Sequence, residues 1–287
     1  MKKKYTYPVV LTIAGFDGSG GAGIQGDTNT INALGCYPTS VLTALPVQNT
    51  GGVKAIHSIP PEIVALQLQT ILEDIRPDAI KIGMVHTQEL VAVIVSMLQQ
   101  YPDIPVVFDP VMVATSGHRL IESETIVAIV DKLFPLATLI TPNLDEAAVL
   151  TGNPITSVTE MQKAGAMIMQ KGCPHVLLKG GHLPTTTLTS LLFDKQGVIA
   201  TYTSEKIATN NMHGSGCTLS AAIASYLALG ENLSDAVSLA QQYVHRAIAE
   251  GADVAIGKGN GPLNHFFEPQ QRVKKEKPRY NNEASPK

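Results

Sequence analysis

Short, unbroken apolar runs alternate with longer amphipathic segments along most of the chain. The apolar runs predict buried strands over residues 9–14, 40–45, 79–83, 106–109, 138–141 and 176–179. The amphipathic segments predict helices over residues 21–34, 61–75, 88–100, 124–133, 158–171, 216–229 and 234–249. Strands without a polar face indicate a sheet that helices cover on both sides. The alternation therefore predicts an α/β fold with a doubly wound, mainly parallel sheet.

One stretch departs from this alternation. Residues 188–193 and 198–202 are two strand-like runs joined by Asp194-Lys195-Gln196-Gly197, which predicts a β-hairpin at the edge of the sheet. No internal repeat or linker divides the rest, so residues 1–267 are predicted to form a single domain. Residues 268–287 are basic and lack an apolar run, so we expect a solvated, disordered tail.

Composition excludes several classes of protein. The 287 residues are 44% hydrophobic and 16% charged, which is typical of a globular protein rather than a disordered one. The net charge is −3 and basic residues gather at both ends, so nucleic acid is not expected as a partner of the body. No run approaches the ~20 apolar residues of a membrane span. Three dispersed cysteines with no metal or redox spacing favour a reducing, cytoplasmic location.

A glycine-rich segment follows the first predicted strand. Ligands of parallel sheets bind at the carboxyl ends of the strands, and Gly18, Gly20 and Gly23 satisfy the dinucleotide fingerprint there. That fingerprint also needs an acidic residue after the second strand, yet the sequence has none between Asp27 and Glu62. Nicotinamide binding is therefore disfavoured, which leaves either a loop that approaches another ligand or a tight packing turn.

Asp27 lies on the apolar face of the helix that follows. Its spacing from Ile24, Ile31 and Leu34 places all four side chains on one side of that helix. Two interpretations stay open at this point: a buried carboxylate stabilised near the helix N-terminus, or a residue that binds a ligand.

The strongest local motif is His213-Gly214-Ser215-Gly216-Cys217-Thr218 before a small, apolar helix. Backbone amides at such a helix start bind a phosphate or a developing anion, although the sequence has no P-loop. Cys217 would lie in the first turn, where we expect its pKa to fall, so that it could accept a proton from an attacking alcohol. The alternative is a cysteine that packs as a small hydrophobic residue.

Carboxylates also follow two later strands. Asp109 ends one strand, and Asn143 and Glu146 begin the helix after the next. These residues could orient Mg²⁺ through water while the metal carries a nucleotide triphosphate. The competing interpretation is a helix cap formed by Asn143 and Glu146.

Five blocks together resemble one enzyme family. They cover residues 11–25, 48–50, 81–84 with 109–112, 141–144 with 179–182, and 213–218. In these blocks the chain resembles the hydroxymethylpyrimidine/phosphomethylpyrimidine kinases of thiamine biosynthesis, which belong to the ribokinase-like superfamily. The resemblance implies that ATP phosphorylates 4-amino-5-hydroxymethyl-2-methylpyrimidine and then its monophosphate, giving the pyrophosphate.

The resemblance also implies a role for individual residues. On the substrate side, Gln48 would pair with the pyrimidine edge, Asp27 and Gly15 would hold the ring and hydroxymethyl group, and Ala22, Met84 and Val111 would supply apolar contacts. On the phosphate side, Cys217 would be the base, and Gly214, Ser215, Gly216 and Cys217 would form the anion hole. Asp109 and Glu146 would organise Mg²⁺. The residues on the nucleotide side would be Asn143, Lys179, Thr209 and Glu146. The family further implies a homodimer.

Four positions depart from the family pattern: Phe16, Pro46, Asn210 and Met212. Asn210 replaces a lysine, which removes a positive charge near the phosphates and leaves rate and nucleotide choice open. Two alternatives therefore stand beside the pyrimidine kinase. One is a pyridoxal/pyridoxine kinase, and the other is a catalytically idle pyrimidine-binding protein.

Overall fold

The computed structural model describes residues 4–112, 121–181, 183 and 185–276. Within these residues twelve strands form, numbered along the chain: β1 (Tyr5–Thr6), β2 (Val9–Ala14), β3 (Tyr37–Leu42), β4 (Ala44–Asn49), β5 (Gly52–Ser58), β6 (Ala79–Ile82), β7 (Val106–Phe108), β8 (Leu139–Ile140), β9 (Val176–Lys179), β10 (Thr187–Asp194), β11 (Gly197–Glu205) and β12 (Lys275–Glu276).

The same ranges contain eight α-helices: α1 (Gly23–Ala33), α2 (Pro61–Asp74), α3 (Gln88–Leu98), α4 (Ser123–Ala128), α5 (Leu144–Thr151), α6 (Val158–Met169), α7 (Ser215–Leu229) and α8 (Leu233–Ala249). A π-helical turn at Ile129–Leu133 extends α4 and leads into a 3₁₀ turn at Phe134–Leu136. Every predicted helix is present, within two residues at its start and at its end apart from this π-helical ending. No helix in the described ranges is both long and apolar enough to cross a membrane.

The central sheet has eight strands in the order β11-β10-β9-β8-β7-β6-β2-β3. Strands β3, β2, β6, β7, β8 and β9 pair in parallel, whereas β10 and β11 form an antiparallel hairpin at one edge. The doubly wound, mainly parallel sheet and its edge hairpin are therefore confirmed.

Residues on each central strand alternate between two hydrophobic cores. Leu11 and Ile13 of β2 pack in the larger core, with α2, α3 and α6. Val10 points to the opposite core, which α1, α7 and α8 cover. Because both faces are buried, the strand reads as an unbroken apolar run, as the sequence predicted.

The prediction of the second strand, over residues 40–45, was wrong in its bounds. Instead of one strand over residues 40–45, the chain leaves the main sheet at Thr43, and β4 pairs with β5 in a separate two-stranded hairpin. The sequence analysis did not predict β5, because six of its seven residues are exposed and give no apolar pattern. This hairpin carries Gln48.

The folded body also extends past the predicted boundary at residue 267. Arg272 donates to the Cys36 carbonyl oxygen at 3.2 Å and its guanidinium lies over the Tyr37 ring. Strand β12 pairs with β1. The tail prediction was therefore wrong for residues 270–276, because the Gln270 amide and the side chains of Arg272 and Lys275 donate to backbone carbonyl oxygens of the body. Residues 277–287 lie outside the described residues.

A buried histidine gives the fold a pH-dependent stability. His265 is 5% exposed, and burial lowers its pKa from 6.5 to about 4. Between these values the unfolded chain binds a proton there that the folded protein does not, so the free energy of unfolding decreases as pH falls. We expect His265→Gln to remove up to about 3 kcal/mol of that decrease between pH 7 and pH 4. Urea unfolding at both pH values measures this, with exposed His57→Gln as the control; equal pH dependence in wild type and His265→Gln would contradict it.

Candidate active site

Four of the predicted site residues lie at the carboxyl end of the parallel sheet. Gly15 follows β2, Met84 follows β6, Asp109 follows β7 and Lys179 ends β9. Parallel strands share this edge, so residues far apart in sequence meet there. The loop before α7 enters the same region, because α7 packs against β2, β6 and β7.

Gly214 shapes the start of α7. It is the N-cap residue, with φ at +86°, a left-handed conformation that favours glycine. A side chain there would also overlap the carbonyl oxygen of Gly21. The amides of Gly216 and Cys217 follow in the first turn, where helical amides have no acceptor within the helix. These amides and the helix dipole give the predicted anion hole its chemistry.

A charged pair lies against this helix start. Lys179 Nζ donates to Asp109 Oδ1 at 2.8 Å, and Thr141 Oγ1 donates to the same oxygen at 2.9 Å. A Cβ on Gly216 would lie 3.3 Å from Lys179 Nζ. Burial opposes the lysine charge, but the Asp109 carboxylate, and Glu146 when it is ionised, raise the pKa of Lys179, so it stays a cation. A positive charge therefore lies beside the predicted anion hole despite Asn210.

Cys217 does not have the lowered pKa that the sequence suggested. Its residue is half-buried, and the desolvation of its thiol raises the pKa to about 11. Lys81 and the Gly23 amide act in the opposite direction without cancelling this effect. The prediction from the helix N-terminus was wrong because it neglected burial. Cys217 is nevertheless placed at the first turns of two helices, its own and α1.

A second ion pair lies beneath the site. Asp27 Oδ2 accepts hydrogen bonds from Lys81 Nζ at 2.8 Å and from Thr12 Oγ1, and both charged side chains are completely buried. Burial opposes the lysine charge, but Asp27 holds the pKa of Lys81 above its ordinary value. The structure thus favours the buried-carboxylate interpretation of Asp27. Its part in substrate binding stays a prediction, because the carboxylate has no exposed surface here.

Asn143 and Glu146 form the helix cap that the sequence analysis kept as an alternative. Asn143 Oδ1 accepts from the Glu146 amide at 2.9 Å, and Glu146 Oε2 accepts from the Asn143 amide at 2.7 Å. Burial raises the pKa of Glu146 to about 8, and Asp109 adds to this rise. A buried carboxyl that already binds backbone amides is poorly placed to contact a metal directly.

Residues predicted to bind substrate border the glycine-rich loop. A Cβ on Gly15 would lie 3.1 Å from Met84 Cε, and one on Gly18 would lie 3.9 Å from the Gln48 carbonyl oxygen. The amide of Ala22 donates to Asp17 Oδ2 at 2.7 Å. The Val111 amide donates to the Asp109 carbonyl oxygen at 2.8 Å.

Two clefts are lined in part by the glycine-rich loop and by the loop before α7. The first, of about 450 Å³, is lined by Ser19, residues 49–51 and residues 256–259. The second, of about 360 Å³, is lined by residues 209–211 and 252–259. Thr209 lies in the second cleft, where its Oγ1 donates to the Ala252 carbonyl oxygen at 2.9 Å. Thr209 lies in the loop between β11 and α7.

Three residues of the site received no role from the sequence analysis: Asp17, Lys81 and His213. Lys81 could have been found, because a lysine within an apolar strand needs a buried partner. Asp17 and His213 lie in the two glycine motifs and bond to each other at 2.8 Å. Their sequence separation of 196 residues concealed that contact.

The raised pKa of Cys217 predicts its reactivity. A thiol with a pKa of about 11 is only about 0.1% ionised at pH 8, so alkylation should accelerate about tenfold per pH unit towards pH 11. Peptide mass spectrometry after iodoacetamide treatment measures the rate. Cys36 and Cys173 serve as internal controls, since burial raises the pKa of each to about 12. A rate that levels off below pH 9 would contradict this prediction.

A family model and a curated relative both identify this chain as similar to phosphomethylpyrimidine kinases. A family model described as phosphomethylpyrimidine kinase matches residues 17–264. The hydroxymethylpyrimidine/phosphomethylpyrimidine kinase of Rhizobium meliloti (strain 1021) is 46% identical over 259 residues, 90% of this chain and 97% of that protein.

Two solved structures are similar over most of the chain. Phosphomethylpyrimidine kinase from Clostridium difficile 630 is 42% identical with a TM-score of 0.73, covering 84% of this chain and 99% of that chain. Bacillus subtilis pyridoxal kinase, solved as an ADP complex, is 33% identical with a TM-score of 0.84, covering 91% and 98%.

Proposed function

The chain belongs to the phosphomethylpyrimidine kinase family, and from that premise we propose that it phosphorylates 4-amino-5-hydroxymethyl-2-methylpyrimidine with ATP. Its monophosphate would then be phosphorylated in the same site, giving the pyrophosphate used in thiamine biosynthesis. The predicted family and the ribokinase-like fold class are confirmed. The ADP complex of the Bacillus subtilis relative supports ATP as the donor.

One observation carries the proposal: the thiol of Cys217 shares the first turn of α7 with Gly216, beside the Lys179–Asp109 pair. The alcohol oxygen would attack the γ-phosphorus while its proton passes to the Cys217 thiolate. The bond from the γ-phosphorus to the bridging oxygen breaks, and ADP leaves with that electron pair. Phosphoryl transfer needs charge stabilisation above all, which the amides of residues 214–217 and the Lys179 ammonium would provide.

Mg²⁺ fits this site as a metal carried mainly by the triphosphate. Among the described residues, no three His, Cys, Asp or Glu side chains converge on a metal position. Asp109 would hold the ion, because its Oδ2 lies beside the anion hole, 3.4 Å from a Cβ placed on Gly216. Glu146 would act through water. When bound, Mg²⁺ neutralises charge on the phosphate oxygens.

Pyridoxal is the second candidate substrate, because the Bacillus subtilis pyridoxal kinase has the higher TM-score of the two solved structures. ADP release measured separately with the hydroxymethylpyrimidine and with pyridoxal distinguishes them. We expect a higher kcat/KM for the pyrimidine. A higher kcat/KM for pyridoxal would overturn the substrate assignment, and pyrimidine binding without ADP release at any Mg²⁺ concentration would indicate an idle binding protein.

Two further properties belong to this proposal. The three free cysteines, at positions 36, 173 and 217, support a reducing, cytoplasmic location. The β4–β5 hairpin exposes Leu45, Val47, Val53 and Ile56, which supports an association of two copies into a homodimer.

A further inference from the structure

The Asp17 carboxylate organises the glycine-rich loop. It is 1% exposed, and its Oδ1 accepts hydrogen bonds from the amide and hydroxyl of Ser19 at 2.9 and 2.6 Å. Its Oδ2 accepts from the Ala22 amide at 2.7 Å and bonds to His213 Nε2 at 2.8 Å. Burial would raise the pKa of Asp17, but these hydrogen bonds hold it well below its usual range. The side chain therefore stays an anion.

His213 connects this carboxylate to the anion hole. It directly precedes Gly214, and its own amide donates to the Gly261 carbonyl oxygen at 3.1 Å. A Cβ on Gly21 would lie only 2.7 Å from His213 Cδ2. The glycine-rich loop and the loop before α7 thus contact each other without space for an added side chain.

Residues 258–261 link His213 to the hairpin that carries Gln48. The amides of Lys258 and Gly259 donate to Thr50 Oγ1 at 3.2 and 3.1 Å, at the tip of the β4–β5 hairpin. Two residues further along the chain, Gly261 accepts the hydrogen bond from His213. Residues 258–261 therefore contact both the hairpin tip and His213.

We propose that Asp17 is a positioning residue that, through His213, fixes the anion hole of residues 214–217 relative to the glycine-rich loop of residues 15–22. The inference rests on the proposed kinase function, in which the first segment holds the transferred phosphoryl group and the second holds the alcohol. Transfer requires both to be aligned, and a displacement of about 1 Å can cost about 100-fold in rate. Asp17 is buried and its oxygens bond to protein groups, so we assign it no contact with either reacting atom.

The test measures kcat and both KM values for Asp17→Ala, Asp17→Asn, His213→Ala and the double alanine variant, well below the lowest Tm. We expect Asp17→Ala to lower kcat about 10- to 100-fold while each KM changes less than about threefold. Asp17→Asn keeps an oxygen that can face the Ala22 amide and His213 but turns an NH2 group towards the Ser19 amide, so its kcat should lie between those of Asp17→Ala and wild type. The double variant should be no slower than the slower single variant. Asp103→Asn is the matched control. Asp103 forms an exposed ion pair with Arg76 and precedes β7, at the end of the strands opposite to the site.

A second readout requires no turnover. If the anion hole is released in Asp17→Ala, iodoacetamide should alkylate Cys217 at least about fivefold faster than in wild type, and Asp103→Asn should leave the rate unchanged. Unchanged kcat and alkylation in Asp17→Ala, or single effects that multiply in the double variant, would overturn the inference. Absence of ADP release by wild type would refute the proposed function instead, and the alkylation rates would still decide the positioning role. Should Asp17→Ala not fold, His213→Ala decides it by the same kcat and alkylation measurements, because it removes the other partner of the same contact.

Discussion

Replacing Cys217 by alanine is expected to lower kcat at least about 100-fold, because the variant lacks the group that accepts the alcohol proton. Binding of the pyrimidine should remain close to that of wild type, since the residues predicted to hold the ring, Gln48 and Met84, are unchanged. Steady-state ADP release measures the first effect, and calorimetry of pyrimidine binding measures the second.

Cys173→Ala is the matched control for this substitution. It removes another thiol, whose sulfur bonds to the His175 carbonyl oxygen at 3.0 Å before β9. We expect Cys173→Ala to keep wild-type kcat below its Tm. Full turnover in Cys217→Ala would refute the assignment of the base, whereas equal losses in both variants would attribute the effect to folding.

Replacing Lys81 by methionine is expected to lower the free energy of unfolding by about 3–5 kcal/mol. The substitution leaves the Asp27 carboxylate completely buried and without its countercharge. A lone ion in such a place cannot recover the hydration that it lost on folding. Urea denaturation of wild type and variant measures the difference.

Asp27→Leu combined with Lys81→Met supplies the control. We expect the double variant to be more stable than either single variant, because a buried ion pair can be replaced by apolar groups at little cost in stability. Losses that simply add in the double variant would contradict a direct pairing of Asp27 with Lys81.

Features that depend on local pattern could be predicted from the sequence. Strands β2 and β9 are apolar at nearly every position because helices cover both faces, so their existence and parallel arrangement were clear. Strand β5 escaped prediction, since an exposed strand that pairs with β4 in a separate hairpin needs no continuous apolar side. The contacts of Arg272 escaped as well, because a charged side chain can dock on carbonyl oxygens without any hydrophobic signal.

Individual residues of the candidate site could be predicted from the sequence, but the ion pairs between them could not. The anion hole at the start of α7 could be predicted from the sequence, because its donors are backbone amides. Gly214 and Gly216 are nearly all that is needed to expose those amides. Which carboxylate meets which ammonium depends on strand order instead: Asp27 pairs with Lys81 54 residues away, and Asp109 pairs with Lys179 70 residues away.

The pKa of Cys217 was predicted in the wrong direction for a related reason. The helix N-terminus that lowers a thiol pKa is a local feature, and it could be read from Gly214 to Thr218. Desolvation depends on everything packed around the sulfur, including α1 and β6, and it is the larger effect here. The sequence offers no measure of that burial.

The pH dependence of kcat/KM in wild type and in Cys217→Asp tests most directly whether residue 217 accepts the proton. A carboxylate can replace the thiolate as the base, and its pKa lies far lower. We expect wild-type kcat/KM to keep rising with pH towards about 11, and that of Cys217→Asp to level off at a pH several units lower. The same rise in both proteins would contradict the account, because the titrating group would then lie elsewhere.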